Sequence, residues 1–320
     1  MTTPPTHAAC LTRADLDAVP AALERGEFFW LDLLSSSDHD IAQAGDLLGI
    51  HPLAVEDSQH FGQRPKFEQY KDHCFLVVFG GAPQSDPDRL VEVHVYFTDR
   101  FLVTIRRDES PEIDTLHKRV VRGALSGHLL LHALLDTLVD SFVEPIDDLD
   151  GELEAIESSI FAGKLKDRET EIYQLRRRLS ELSRILHRQR DLFSQLISGI
   201  ALIEGFDTDF NPYFRDVRDH LWRMSDAVDV LRDRTGGAIE IYLAVSSNRQ
   251  NIVMKQFTVI AGVFLPLNVI VGFFGMNFAY QLQLIRSPWA FWILGVLAPL
   301  AIISGLLLVF RTRGWLKDQS

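Results

Sequence analysis

Cysteine is scarce: Cys10 and Cys74 are the only two in 320 residues. Neither belongs to a C-x-x-C pair, which argues against metal or redox chemistry at sulfur and fits a reducing compartment. Positive charge is also short. The formal net charge of −12 argues against a nucleic-acid partner, which requires a basic face. The stretch Met1 to Asp17 lacks the apolar run of a signal peptide, so the N-terminal part is expected to stay in the cytoplasm. No nucleophile elbow, phosphate loop or metal-hydrolase motif occurs, so an enzyme reading has little to stand on and no cofactor is implied.

The shortage of cations is local as well as global. From Gly123 to Gly163 there is no Lys or Arg, yet nine acids fall between Asp136 and Glu157. Basic residues then crowd in, from Lys164 through Arg176, Arg177 and Arg178 to Arg190. This predicts an acidic and a basic helix whose solvated faces pair.

Long apolar runs are missing until the C-terminal end, where Phe257–Phe274 and Trp289–Phe310 stand out. Crossing ~30 Å of hydrocarbon takes roughly 20 residues, and both segments qualify. Arg249 and Lys255 precede the first, Arg311, Arg313 and Lys317 follow the second, and the connecting loop holds only Arg286. That bias predicts an integral membrane protein with both termini in the cytoplasm and a short outer loop. Trp289, Trp292 and Trp315 fall near the predicted interfaces, where indole rings are favoured.

The chain divides by pattern. Residues 1–122 read as a cytoplasmic α/β domain. Its strands are expected at 28–33, 72–80, 90–97 and 101–105. Val91, Val93 and Val95 alternate with polar neighbours, as in a half-buried strand. Ser37-Asp38 predicts a helix cap, Gly49 its end, and Pro111 another helix start. Residues 123–256 read as a helical hairpin with a break near Phe161-Ala162-Gly163, then a long stalk helix from Asn211-Pro212 with one weak spot at Gly236-Gly237. That helix, ~63 residues, would run roughly 95 Å, which implies a bundled assembly. Residues 257–310 form the two-span domain with outer loop 278–288, and 311–320 a basic cytoplasmic tail.

One face of the long helix is unusual. Glu240, Ser247, Asn251, Met254, Ala261, Leu265, Asn268 and Gly272 recur at helical steps. The stripe begins acidic, turns polar, then apolar, and carries Asn268 into a membrane span. An amide in hydrocarbon is costly unless satisfied, so it faces a bundle interior or a watery path. A single helix encloses nothing. Several copies would make rings of Asn251, Met254, Leu265 and Asn268, or alternatively a helix seam whose register the asparagines set. His128 and His132, at i and i+4, lack a third ligand at a telling spacing, as do His51 and His60.

Gly275-Met276-Asn277, at the outer end of the first span, resembles the GMN signature of CorA-type magnesium and divalent-cation transporters. Tyr213-Phe214-Arg215-Asp216-Val217, Asp219-His220, Ser247-Asn248, Asn251, Met254-Lys255, Pro266 and Gly272 resemble that family's stalk and first span in order and spacing. Gly49-Ile50-His51-Pro52-Leu53 and Gln63-Arg64-Pro65-Lys66 resemble its N-terminal domain, and Arg311 to Lys317 its tail.

The resemblance implies a homopentamer in the cell membrane: an α/β cytoplasmic domain, a long-helix funnel and two C-terminal transmembrane helices. It implies passage of Mg²⁺, and of Co²⁺ and Ni²⁺, through an axial pore. Gly275, Met276 and Asn277 would form the selectivity filter. Ser247, Asn251, Met254, Leu265, Asn268 and Gly272 would line and gate the path, with Glu240 in the funnel. A ring of neutral Asn277 carbonyls suits Mg²⁺, which dehydrates reluctantly. Internal Mg²⁺ would act as regulatory ligand at Asp216, with Asp86 or Asp88 as partner, since Gln84 occupies the family's acidic position. The chain also departs from the family in the loop from Phe278 to Trp289, which has no acid and carries Arg286. A ring of arginines at the mouth disfavours divalent cations. The alternatives are the zinc-transporting sister branch, against which Met276 speaks, and a membrane-anchored sensor or scaffold.

Overall fold

The structure, a computed structural model, describes residues 9–81, 90–121, 125, 127–200, 211–276 and 287–315. It divides into two compact units, Met1–Ile239 and Glu240–Ser320.

The first unit is built on a six-stranded mixed sheet of β1 (Ala9–Thr12), β2 (Phe29–Leu34), β3 (Lys66–Gln69), β4 (Cys74–Gly80), β5 (Val91–Phe97) and β6 (Phe101–Arg106), in the order β1-β2-β6-β5-β4-β3. β1, β2 and β6 run parallel, and the β6-β5-β4-β3 half is antiparallel. Three helices fill the early connections: α1 (Val19–Arg25), α2 (Asp38–Leu48) and α3 (Pro52–Gln59). The Ser37 side chain caps α2 by accepting the Asp40 N–H, and Gly49 closes it in the left-handed region at φ 66°. Of these elements, β1, α1, α3 and β3 carry no periodic signal long enough to predict.

The half-buried reading of β5 is corrected by the structure: all seven of its residues are buried. Two of its buried polar groups pair with each other, His94 Nε2 lying 2.7 Å from Glu92 Oε1. Glu92 also accepts the N–H groups of Gly62 and Gln63. Polar residues therefore marked internal pairing here and not a solvent face.

Helices follow the sheet: α4 (Pro111–Val121), α5 (Gly127–Asp140), α6 (Val143–Phe161), α7 (Arg168–Ile200) and α8 (Asn211–Phe274). α5 packs on β4 and β6, and α7 on β3 and β4. The hairpin expected from residue 128 to 200 has a second break, at Ser141-Phe142, between α5 and α6. Pro145 lies four residues after Ser141 and offers no N–H to its carbonyl, so a continuous helix would lose that bond. The acidic and basic helices pair through Arg178 and Glu152 at 2.7 Å, and α8 joins them through Arg234, which reaches Asp150 and Glu157. α8 buries Phe214, Val217, Leu221 and Val228, and runs through Gly236-Gly237 without a break.

The second unit holds the C-terminal part of α8 and a second apolar helix over Pro288–Thr312. These are the two helices long and apolar enough to cross a membrane among the described residues. The second has a π-helical stretch at Phe291–Leu297 leading into α9 (Ala298–Thr312). Pro299 near the start of α9 cannot supply a normal helical donor, and the wider turn before it accommodates that loss.

Candidate functional site

In the second unit, the first span shows two contrasting faces. Val259, Gly262, Val263, Pro266, Leu267, Ile270 and Phe274 are half-covered, at steps of three, one, three, one, three and four. At 100° per residue these occupy one face. Phe310 of α9 packs there, and a Cβ at Gly262 would come within 2.9 Å of its Cζ. Ala261, Leu265, Asn268 and Gly272 project from the opposite face and are exposed. Glu240, Ser247, Asn251 and Met254, further back on α8, are exposed too. Leu265 and Met254 each leave 64% of their surface uncovered within one chain. The polar stripe therefore lies on the side of the helix that the second span does not cover.

At its C-terminal end α8 stops at Phe274, and the Gly275 N–H still bonds the Val271 carbonyl at 2.8 Å. Gly275 and Met276 are exposed. Asn277, the third residue of the signature, lies outside the described residues, as does Arg286.

The first unit brings Asp216 into company that sequence reading did not assemble. His220 stands one turn after Asp216 on α8, with its Nε2 3.7 Å from Asp216 Oδ2. The other face of that imidazole meets α5. Its Nδ1 lies 3.4 Å from Asp140 Oδ1 and 3.9 Å from Asp136 Oδ1. One ligand atom each from Asp136, Asp140 and His220 falls within a 4.8 Å span. Burial pushes the Asp136 carboxyl above the ordinary carboxylate range, and the charges of Asp140 and Asp216 add to this against the opposing pull of His132 and His220. A divalent cation there would offset the charge of the Asp136 and Asp140 carboxylates, and an imidazole with oxygen donors is a competent ligand set. The available signal was two i, i+4 pairs, Asp136/Asp140 and Asp216/His220. Nothing local joins them, since Asp140 and His220 are 80 residues apart.

Asp86 and Asp88, together with Gln84, lie outside the described residues. The remaining histidine candidates have other roles. His132 packs edge-on against Tyr213 and Phe214. His51 caps α3 by accepting the Leu53 N–H, and His60 bonds the Glu56 carbonyl. The side chain of His128 lies outside the described residues.

Known proteins give this arrangement its context. The family model for CorA-like Mg²⁺ transporter protein matches residues 25–312. The cobalt/magnesium transport protein CorA of Thermotoga maritima is 30% identical over 299 residues, covering 90% of this chain and 83% of that protein. The zinc transport protein ZntB of Yersinia pseudotuberculosis is 28% identical over 279 residues, covering 83% and 81%. The solved CorA magnesium transporter of Methanocaldococcus jannaschii superposes with a TM-score of 0.77 at 24% identity, covering 90% of this chain and 91% of that one. The chain is therefore a member of the CorA-like Mg²⁺ transporter family, a membrane protein of divalent-cation transport and not an enzyme.

Proposed function

We propose that this chain forms a homopentameric channel that carries hydrated divalent cations, chiefly Mg²⁺, with Co²⁺ and Ni²⁺ as further cargo, into the cell. The observation that carries this reading is the polar stripe on the uncovered side of α8. Asn251 and Asn268 are exposed, with no covering helix among the described residues of one chain, and an amide in hydrocarbon needs either another copy or water. Rings of Asn251 and Asn268 hold a hydrated ion, while rings of Met254 and Leu265 constrict and gate by dewetting. Ser247 and Gly272 continue the lining, and Glu240 draws cations to its cytoplasmic end. Gly275, Met276 and Asn277 form the filter at the outer mouth, where Asn277 carbonyls recognise the ion through its water shell.

Internal Mg²⁺ regulates the channel at Asp216, with Asp136, Asp140 and His220 completing the ligand set and Asp86 or Asp88 in a supporting role. Both termini lie in the cytoplasm, by the bias of Arg249, Lys255, Arg311 and Arg313. Substitution Asn277→Ala tests the path directly. Purified chain in planar bilayers should pass a divalent current that the substitution abolishes or makes unselective. A chain with no current in either form would be a scaffold or sensor and would end this reading.

The relative named for zinc transport favours a second reading, in which Zn²⁺ is the cargo. The outer loop, without acids, does not distinguish the two, whereas Met276 fits the magnesium branch.

A further inference from the structure

The break between α5 and α6 lies beside the carboxylate cluster, and the end of β4 is pressed against it. The Ser141 hydroxyl donates to the Leu138 carbonyl at 2.7 Å and accepts the Gly81 N–H at 2.6 Å. A Cβ at Gly81 would stand 1.9 Å from the Ser141 carbonyl oxygen and 2.6 Å from its carbon. Those are backbone atoms, so no side-chain rotation relieves the clash. A Cβ at Gly80 would stand 2.8 Å from Leu138 Cδ2. The strand is held from another side as well. Gln189 of α7, only 1% exposed, accepts the Phe79 N–H at 2.8 Å and donates to the Phe79 carbonyl at 3.0 Å. The break therefore rests on a strand end that α7 fixes independently. Asp140 immediately precedes Ser141, and Asp136 lies one turn back inside α5.

We propose that Gly81 and Ser141 are positioning residues of the divalent-cation site, setting how far the Asp140 carboxylate reaches towards His220. The proposal rests on the reading of Asp136, Asp140, Asp216 and His220 as that site. Ligand positions matter at about 0.2 Å, and groups that orient a ligand typically change metal affinity by about 10–100-fold. A side chain at position 81 must displace the backbone at Ser141. Asp140 is then the first ligand to move, and Asp136, held within the helix, moves less. The same contact makes the end of β4 part of what metal binding stabilises.

The test uses the full chain in detergent micelles and Mg²⁺ alone as probe. The readouts are the Mg²⁺ concentration that half-protects the chain from protease and the melting temperature in EDTA. Gly81→Ala and Ser141→Ala should each raise the half-protecting concentration about tenfold. In an Asp140→Asn background the same changes should cost less than about twofold, because the ligand they position is gone. A general structural role would give equal fold-changes in both backgrounds, whatever the melting temperature in EDTA, and would overturn the proposal. If Gly81→Ala fails to fold, Ser141→Ala, which adds no atoms, decides. Protection unaffected by Asp136→Asn and Asp140→Asn together would overturn the site itself, and this proposal with it.

Discussion

Arg106 is 2% exposed, in the middle of a sheet, and holds two carboxylates. Its Nη2 lies 2.9 Å from Asp32 Oδ2 and 2.9 Å from Asp114 Oδ1. Asp32 in turn accepts from Thr104, which accepts from the Trp30 indole. Removing a partner from a buried pair leaves an uncompensated charge, which costs about 3–5 kcal/mol. Asp32→Ala should therefore destabilise the first unit by about 3 kcal/mol in chemical denaturation. Asp114→Ala, whose side chain is half exposed, should cost about 1 kcal/mol or less. Equal costs would contradict the buried network. The two cysteines give a second residue-scale check. Burial, helped by Asp32 and Asp15, pushes the Cys10 thiol up to about 11, and burial alone pushes Cys74 up to about 12. The thiolate is the reactive form. Iodoacetamide should thus label neither thiol at neutral pH in the folded chain, with Cys10 becoming reactive only as pH approaches 11. Prompt labelling at pH 7 would mean that the β1 edge is open.

At the scale of elements, the contact between the spans is the sharpest constraint. Gly262 faces Phe310, and Pro266 leaves the Gly262 carbonyl without its usual donor. Gly262→Val overpacks this contact and should cost about 1–3 kcal/mol, read as a lower melting temperature in detergent. Gly272→Val, where a Cβ meets nothing of its own chain, leaves that contact between the spans intact and should lower the temperature less. The elements that were legible in the sequence share a local cause. Ser37 and Gly49 bound α2 by their own chemistry. Pro111 opens α4 at its first position, where a missing N–H costs nothing. α8 carries its periodicity over 64 residues. β1 and β3, four residues each, exist because a neighbour pairs with them. The alternation in β5 was visible, but the pairing of Glu92 with His94 that buries it was not. The site divides the same way. The stripe on α8 is one helix face and could be read directly. The juxtaposition of Asp140 with His220 depends on α5 packing against α8, which no local pattern announces.

At the scale of the whole molecule, one chain carries both the proposed path, the uncovered face of α8, and the proposed sensor, the carboxylate–imidazole cluster of the first unit. Membership of the CorA-like family makes divalent-cation transport the activity. Cargo and regulation belong to the proposal, and both are exposed to a single experiment. The chain is reconstituted in liposomes, and uptake of Mg²⁺, Co²⁺ and Zn²⁺ is followed in turn, with and without Mg²⁺ sealed inside. Mg²⁺ uptake should be robust with an Mg²⁺-free interior and fall several-fold with Mg²⁺ inside, and Asp216→Ala should relieve that fall. Zn²⁺ uptake without Mg²⁺ uptake, or Mg²⁺ uptake indifferent to the interior in wild type, would contradict the account.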